Sequence, residues 1–294
     1  MNKSKVYFSK NISPENVLNM YKVLGRNLIG NIAVKVHSGE KGNQNFLGPE
    51  FMKPVIEHVN GTVVECNTAY AGARHTTEKH LQLMKEHGWS ENFKVDIMDA
   101  EGPDVAFDIK NGNVITKNYV GKNLLNYDGL LVVSHFKGHQ MGGFGGAIKQ
   151  LSIGIASTAG KCYIHSAGAT TSMSDVWKKT ADQKVFLEAM AESAGSVLDH
   201  FKQKTAFVTI MKNISVDCDC NAHAKAPCMK DIGILSSLDP VALDKACIDL
   251  AYSANDKGKT ELIERVESRF GQHTLECAEK LGLGSRDYEL IVVD

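Results

Sequence analysis

The sequence has no run of about 18 apolar residues, the length that a membrane-spanning helix requires. It also has no Lys/Arg-rich block of five or more residues, and its 33 basic residues are balanced by 34 acidic ones. These absences argue against a membrane protein and against nucleic acid as the main partner. The remaining composition, 43% hydrophobic and 23% charged, is that of an ordinary globular chain.

The start of the sequence lacks the continuous apolar stretch of a secretory signal peptide. The seven cysteines are an odd number, and Cys218, Cys220 and Cys228 lie close together. Without export signals, such cysteines are typical of reduced thiols, some of them metal ligands, inside the cell. We therefore expect a cytoplasmic protein. Three further cysteines lie in predicted strands or helices and are expected to be core residues: Cys66, Cys247 and Cys277.

Predicted strands and helices alternate along the chain. Residues 31–36 and 62–66 have the composition of strands, and Pro49 begins an amphipathic helix between them. This order is a β-α-β unit, which prefers a right-handed parallel crossover. The uninterrupted apolar run 130–134 predicts a central strand that is covered on both faces. We therefore predict an α/β fold of mostly parallel sheets covered by helices.

The second half of the chain continues this pattern. Apolar side chains recur at helical spacing over residues 182–201, and residues 113–116 predict a short strand. The sequence shows no internal repeat and no clear linker. We predict one domain over residues 1–294, made of two lobes that divide near residues 165–205, with the functional site between them.

A glycine-rich segment follows the strongest predicted strand and reads H-F-K-G-H-Q-M-G-G-F-G-G-A-I-K. Open α/β sheets bind ligands at this end of their strands. If a helix begins near Phe144, its free N–H groups would attract a phosphate or carboxylate. Standard nucleotide fingerprints are absent, and tight packing is the alternative role for the glycines. We predict that four of them bind a small anionic molecule or a nucleotide-like cofactor: Gly142, Gly143, Gly145 and Gly146.

Three histidines lie in or near this segment: His135, His139 and His165. Neutral imidazole ligates metals and exchanges protons near pH 7. Lys149 supplies a charge, a base or a covalent link to a ligand. We predict that at least two of these side chains line a site, although single histidines often have no special role.

The segment D-C-D-C-N-A-H-A-K-A-P-C is the second candidate site. Cys218, Cys220 and Cys228 supply soft ligands suited to zinc or iron–sulfur, and His223 and Cys162 are further candidates. The spacing fits neither paired C-x-x-C motifs nor a ferredoxin run. A set of reduced structural thiols is therefore the alternative.

Other catalytic templates are missing, including H-E-x-x-H and G-x-S-x-G. The aspartates near residue 240 have ordinary explanations. Asp239 precedes Pro240 in the pattern of a helix N-cap, and Asp244 is expected on the surface of that helix.

Several separated motifs resemble domain-of-unknown-function family 362. They are K-V-H-S-G-E-K-G, N-T-A-Y-A-G-A-R-H-T-T-E-K-H, F-K-G-H-Q-M-G-G-F-G-G-A-I-K-Q-L and D-I-G-I-L-S-S-L-D-P-V-A-L-D-K-A, and the likeness spans nearly the whole chain. The resemblance implies an iron–sulfur protein, often with an inserted ferredoxin module. This chain has only a predicted helix and strand where that module would lie, so C-D-C alone supports a cluster.

The spacing of His139, Lys149 and His165 also resembles, more distantly, the nickel-dependent lactate racemase family. That resemblance implies that Lys149 tethers or binds a cofactor and that His165 ligates a metal. It also implies acid and base roles for His139 and His75. The arginine-bearing phosphate motif of the racemases is not evident, and the chain is short for their second domain.

Together these features predict a metal-associated enzyme of redox or isomerase type that acts on a small anionic substrate. The alternative is an iron–sulfur or zinc protein for binding or electron transfer, built on Cys218, Cys220 and Cys228. Iron–sulfur, nickel and zinc all remain open as the transition metal at this point.

Overall fold

The computed structural model describes residues 3–293. In these residues the strands are β1 (Ser4–Ser9), β2 (Ile32–Lys35), β3 (Thr62–Glu65), β4 (Val95–Ile97), β5 (Val105–Asp108), β6 (Lys117–Val120), β7 (Gly129–His135), β8 (Lys137–His139), β9 (Gly143–Gly145), β10 (Thr205–Met211), β11 (Gly233–Ser237) and β12 (Tyr288–Val292). The helices are α1 (Pro14–Lys22), α2 (Pro49–His58), α3 (Thr77–Glu86), α4 (Trp89–Asn92), α5 (Ala147–Lys149), α6 (Thr158–His165), α7 (Gln183–Phe201), α8 (Pro240–Ser253), α9 (Lys259–Ser268) and α10 (His273–Lys280). A π-helical turn, Gln150–Gly154, extends α5.

One eight-stranded sheet organises the molecule, in the order β12-β1-β11-β10-β7-β2-β3-β4. Only β11 runs against the other seven strands, because it is antiparallel to both β1 and β10. Helices cover the sheet, and every residue of β7 and β10 is buried. The predicted α/β fold with a mostly parallel sheet is confirmed. Two short ribbons, β5–β6 and β8–β9, lie outside this sheet.

The predicted division near residues 165–205 falls between two neighbouring strands of this sheet. β7 and β10 pair in parallel from Leu130 opposite Thr205 to His135 opposite Ile210. The intervening chain is therefore a crossover within one sheet, which includes the long helix α7. The division of the chain into two lobes stays a prediction.

Local signals place the ends of several elements correctly. Asp239 caps α8, since its side chain accepts hydrogen bonds from the N–H groups of Val241 and Ala242. Residues 113–116, in contrast, do not form the predicted strand. The N–H groups of Asn113 and Ile115 donate instead to the buried carboxylate of Glu192 on α7. A side chain thus provides the acceptors that a neighbouring strand would have provided.

The carboxyl ends of β2, β3, β7 and β10 lie at the same edge of the sheet because these strands are parallel. The segments that follow them contain most of the predicted site residues. None of the helices within residues 3–293 has the length and apolar character needed to cross a membrane.

Candidate thiol–histidine centre

Hydrogen bonds join the segments that follow three strands at this edge. The N–H of Glu40, after β2, donates to Asp219 O, after β10, over 2.9 Å. The N–H of Gly138, after β7, donates to Ser215 O over 2.8 Å. Asn43 also donates its side-chain amide to Asn221 O over 2.9 Å. The glycine-rich segment and the cysteine segment, which are distant in sequence, therefore form one site.

Two thiols and one imidazole meet in this site. Donor atoms of His139, Cys218 and Cys220 all lie within 4.8 Å of one another. The Sγ atom of Cys220 is 4.0 Å from Nε2 of His139. Cys218 is almost completely buried, with 1% of its surface exposed. We call these three residues, together with His37, the thiol–histidine centre.

Asp219 lies between the two cysteines and pairs with different partners. Its carboxylate accepts hydrogen bonds from Lys137 Nζ over 2.6 Å and His135 Nδ1 over 3.0 Å. Burial opposes ionisation, but His135 and Lys137 outweigh it and hold the pKa of Asp219 well below its usual range. This buried ion pair fixes the loop that carries both thiols.

The pKa values of the two thiols shift in opposite directions. A hydrogen bond from Cys220, with the charge of Lys149, holds the pKa of the Cys218 thiol well below its usual range. The same hydrogen bond raises the pKa of Cys220, which keeps its proton. Cys218 is therefore the thiolate of the pair and Cys220 the thiol donor.

Backbone hydrogen bonds fix the tautomers of two rings. Nδ1 of His139 accepts from the N–H of Gly142 over 2.9 Å, and Nδ1 of His37 accepts from Gly39 over 3.1 Å. A neutral imidazole has one N–H, so both rings carry it on Nε2. Both rings form hydrogen bonds with Cys218. Burial lowers the pKa of His37, and that of His139 to about 4, so both are neutral N–H donors to the thiolate.

His165 has the opposite tautomer. Its Nδ1 donates to Lys161 O over 2.7 Å, which leaves the lone pair on Nε2. The ring stacks on Phe186 at a centroid distance of 4.8 Å, and burial lowers its pKa to about 4. The charge of Lys149 lowers that pKa further. The predicted residues His139, Lys149 and His165 thus share one electrostatic environment, and their catalytic roles stay predictions.

Two predicted site residues lie elsewhere. His75 is half-buried and pairs through Nδ1 with Gly72 O over 2.7 Å. The buried neighbour is Arg74, whose Nε donates to Glu40 over 3.2 Å. Cys228 is not among the close donor atoms of His139, Cys218 and Cys220. Its thiol donates a hydrogen bond to Ile214 O, and burial raises the pKa of this thiol to about 11. Within residues 3–293, neither His75 nor Cys228 belongs to the group of close donor atoms at the thiol–histidine centre.

The sequence does not single out His37 or Arg74. Both lie within motifs quoted for the family resemblance, K-V-H-S-G-E-K-G and A-R-H-T-T-E-K-H. His37 is the second residue after β2, and β2 is the parallel neighbour of β7. The available signal was therefore a histidine just after a strand that pairs with the strongest predicted strand.

Asp244 occupies the start of the helix in the glycine-rich segment. Its carboxylate accepts hydrogen bonds from the N–H groups of Ala147, over 2.7 Å, and Ile148, over 2.9 Å. The expectation of free N–H groups on a helix from Phe144 was wrong, because α5 begins at Ala147 and a protein carboxylate holds these groups. Asp244 is fully buried rather than on the helix surface, and burial raises its pKa to about 7.

The predicted ligand-binding glycines contact the protein itself. A Cβ at Gly146 would lie 2.3 Å from Oδ1 of Asp244. Gly143 has a φ of +79°, and a Cβ there would lie 2.8 Å from the backbone of Gly271. The corresponding contacts of Gly142 and Gly145 are with protein atoms as well. Close packing accounts for this segment, and ligand binding by these glycines stays a prediction.

The donor set of the centre suits a soft transition metal. Two cysteines and one histidine are the ligands of many zinc sites, and thiolates also hold iron and nickel. His139 fits this role less well, because ligation through Nε2 would require its proton on Nδ1. That change would cost the hydrogen bonds from Met141 and Gly142. Cys218 and Cys220 are the metal ligands that fit, with His139 as an N–H donor to sulfur.

Residues 32–249 match the family described as Domain of unknown function (DUF362). The chain belongs to this family. No curated protein matches this DUF362 member.

Two solved structures are similar to it at low identity. A Thermotoga maritima protein is 9% identical with a TM-score of 0.43, and the match covers 91% of this chain and 59% of that one. The lactate racemase apoprotein of Thermoanaerobacterium thermosaccharolyticum is 13% identical with a TM-score of 0.42, covering 98% and 82% of the two chains. The distant resemblance to lactate racemase expected from the sequence is therefore found, but similarities this weak say nothing about activity.

Proposed function

We propose that this DUF362 protein is a cytoplasmic, metal-associated enzyme of redox or isomerase type that acts on a small anionic substrate at the thiol–histidine centre. One observation carries the proposal. Donor atoms of Cys218, Cys220 and His139 converge within 4.8 Å, in a site where Lys149 lowers the pKa of both Cys218 and His139.

Cys218 and Cys220 would hold the metal. The low pKa of Cys218 supplies one thiolate without an added base, and metal binding would release the proton of Cys220. A metal bound there supplies Lewis-acid or electron-transfer chemistry. The N–H groups of His37 and His139 would remain hydrogen-bonded to sulfur.

Lys149 suits the binding of an anion. Lys35, Lys137 and Arg74 are each paired with a buried carboxylate. Among residues 3–293, Lys149 has no carboxylate within ion-pair distance, although it is half-buried. A half-buried ammonium without a carboxylate partner favours a negatively charged ligand.

One neutral imidazole would exchange protons with the substrate. His165 offers a lone pair on Nε2 and would accept a proton there. Isomerisation by proton transfer removes a proton and returns it, and the imidazolium formed on His165 would supply the returned proton. The single N–H of His139 stays hydrogen-bonded to sulfur.

Metal analysis of protein purified without oxygen or chelators tests this proposal. We expect about one equivalent of transition metal per chain at Cys218 and Cys220. The Cys218→Ser, Cys220→Ser double variant should contain about one equivalent less than the wild type, and Cys228→Ser, the matched control, should contain as much as the wild type. Absence of metal from the wild-type protein, or equal metal contents of the double variant and the wild type, would contradict the proposal.

A second function is favoured by the N–H groups that surround the thiols. Hydrogen bonds to sulfur tune the potential of iron–sulfur clusters, and His37 and His139 both bond to Cys218. Iron with acid-labile sulfide in the same analysis would support this electron-transfer alternative. Nickel or zinc without sulfide would support the enzyme.

The Lys149→Ala variant tests the anion-binding step. We expect it to retain metal but to lose the rise in melting temperature that small carboxylates or phosphate produce. Lys41→Ala is the matched control, because that lysine is exposed and pairs with Glu86. Equal responses of Lys149→Ala and wild type to every anion would remove Lys149 from the site.

A further inference from the structure

A second group of metal-ligand side chains lies between α7 and α10. Glu188 extends from α7, and His273 and Cys277 lie one turn apart on α10. Nε2 of His273 is 2.9 Å from Oε1 of Glu188 and 3.6 Å from Sγ of Cys277. All three donor atoms lie within 4.8 Å of one another. We call these residues the α7–α10 cluster.

The spacing of these donors suits tetrahedral coordination. Zinc binds nitrogen and oxygen at about 2.0 Å and thiolate sulfur at about 2.3 Å. Donors at those lengths around a tetrahedral ion lie roughly 3.3 to 3.6 Å from each other. Nε2 of His273 and Sγ of Cys277 are already 3.6 Å apart. Oε1 of Glu188 is closer, at 2.9 Å from Nε2, and this side chain has room to move slightly away because it is 36% exposed.

The other nitrogen of His273 has the partner that metal-bound histidines commonly have. Nδ1 lies 3.3 Å from Oε2 of Glu276. A carboxylate in this position holds the proton on Nδ1 and leaves Nε2 for the metal. Glu188 and Glu276 also make the surroundings of the thiol negative, which attracts a cation.

We propose that Glu188, His273 and Cys277 bind one divalent transition-metal ion of the Zn²⁺ class, with water as the fourth ligand. Binding releases the proton of the Cys277 thiol and any proton on Nε2 of His273. The ion joins α7 to α10. Without metal, the ring nitrogens of His273 contact the carboxylates of Glu188 and Glu276.

Cobalt titration of the full chain tests the site. In the Cys218→Ser, Cys220→Ser background, we expect one equivalent of Co²⁺ to bind with a thiolate-to-cobalt charge-transfer band. Adding Cys277→Ser should abolish the band, whereas adding Cys228→Ser should leave it. A missing band in the background protein, or a band that survives Cys277→Ser, would overturn the proposal.

Zinc affinity gives the second measurement, by competition with a chromophoric chelator. We expect His273→Gln to abolish tight binding and Glu276→Gln to weaken it about 10- to 100-fold, as the loss of a carboxylate behind a ligand does. Unchanged affinity in both variants would mean that His273 serves only in ion pairs. Should the double-serine background not fold, the wild type must bind one more Co²⁺ than Cys277→Ser.

Both measurements are independent of the proposed function, because the background variant lacks the thiols of the other centre. Loss of the α7–α10 metal would leave the metal analysis of Cys218 and Cys220 unaffected. An empty thiol–histidine centre would likewise leave the cobalt band of Cys277 in place.

Discussion

The two cysteine–histidine clusters contain the same residue types in opposite electrostatic surroundings. In the thiol–histidine centre, the hydrogen bond from Cys220 lowers the pKa of Cys218, and Lys149 and His139 lower it further. In the α7–α10 cluster, burial and the carboxylate of Glu188 raise the pKa of Cys277 to about 11. Both thiols are at least partly buried, so burial alone does not decide which one ionises.

The difference indicates what each cluster binds. A thiolate near N–H donors and an ammonium that has no carboxylate partner suits a soft metal together with an anionic substrate. A thiol surrounded by carboxylates needs a cation before it ionises, which favours direct exchange of its proton for a metal. The clusters also differ in exposure. Asp219, the carboxylate of the centre, is 1% exposed, and Glu188 is 36% exposed.

Asp219→Asn should produce the largest effect on stability. The substitution leaves the buried Lys137 ammonium without its counter-charge, which costs about 3–5 kcal/mol in the free energy of unfolding. Urea unfolding of the metal-free protein at neutral pH measures this loss in the free energy of unfolding. Asp217→Asn is the control, because that carboxylate pairs with the partly exposed Arg265, and we expect a much smaller loss.

The effect of Asp219→Asn should depend on pH. The folded protein holds the pKa of Asp219 below its usual range. The stability that ionised Asp219 contributes is therefore complete above about pH 4, the usual pKa of an aspartate, and declines as the pH falls further. We expect wild type and variant to converge in acid. A difference that stays constant down to pH 3 would contradict this assignment.

Asp244→Asn should have an intermediate effect. The variant keeps one oxygen acceptor for Ala147 and Ile148 and places an amide N–H₂ against the other backbone N–H. An unsatisfied buried donor costs about 1–3 kcal/mol. Because this helix carries Lys149, the variant should also weaken the anion-dependent rise in melting temperature. Glu50→Gln, an exposed acid on α2, is the control. Full stability of Asp244→Asn would show that the two hydrogen bonds are unimportant.

The sequence predicts those parts of the fold that depend on local signals. The apolar run of β7, the helical spacing of α7 and the cap of α8 at Asp239 are properties of short segments, and the structure contains all three elements. The strand expected at 113–116 fails because Glu192, far along the chain, takes its N–H groups. No local pattern shows which distant carboxylate will do so.

The candidate site also has some features that the sequence predicts and others that it does not. Residue chemistry singles out His139, Lys149, Cys218 and Cys220 from the sequence. Their union in one site depends on the pairing of β7 with β10, and the position of His37 depends on the pairing of β2 with β7. Strand order is a property of the whole chain. The tautomers depend on single backbone N–H groups, such as that of Gly142, which the sequence cannot assign.

Glu188→Gln should have the smallest effect on the metal-free protein. Glu188 is 36% exposed and His273 is 17% exposed, so water screens the contact between them. Pairs with this exposure contribute about 0–1 kcal/mol, and His273 keeps Glu276 as a partner. Urea unfolding with chelator present should therefore show a loss below about 1 kcal/mol. With Zn²⁺ in excess, the gap between wild type and variant should widen, because only the wild type keeps all three ligands. A loss near that of Asp219→Asn in the metal-free protein would show that the two clusters are equally desolvated, and the contrast between them would then rest on charge alone.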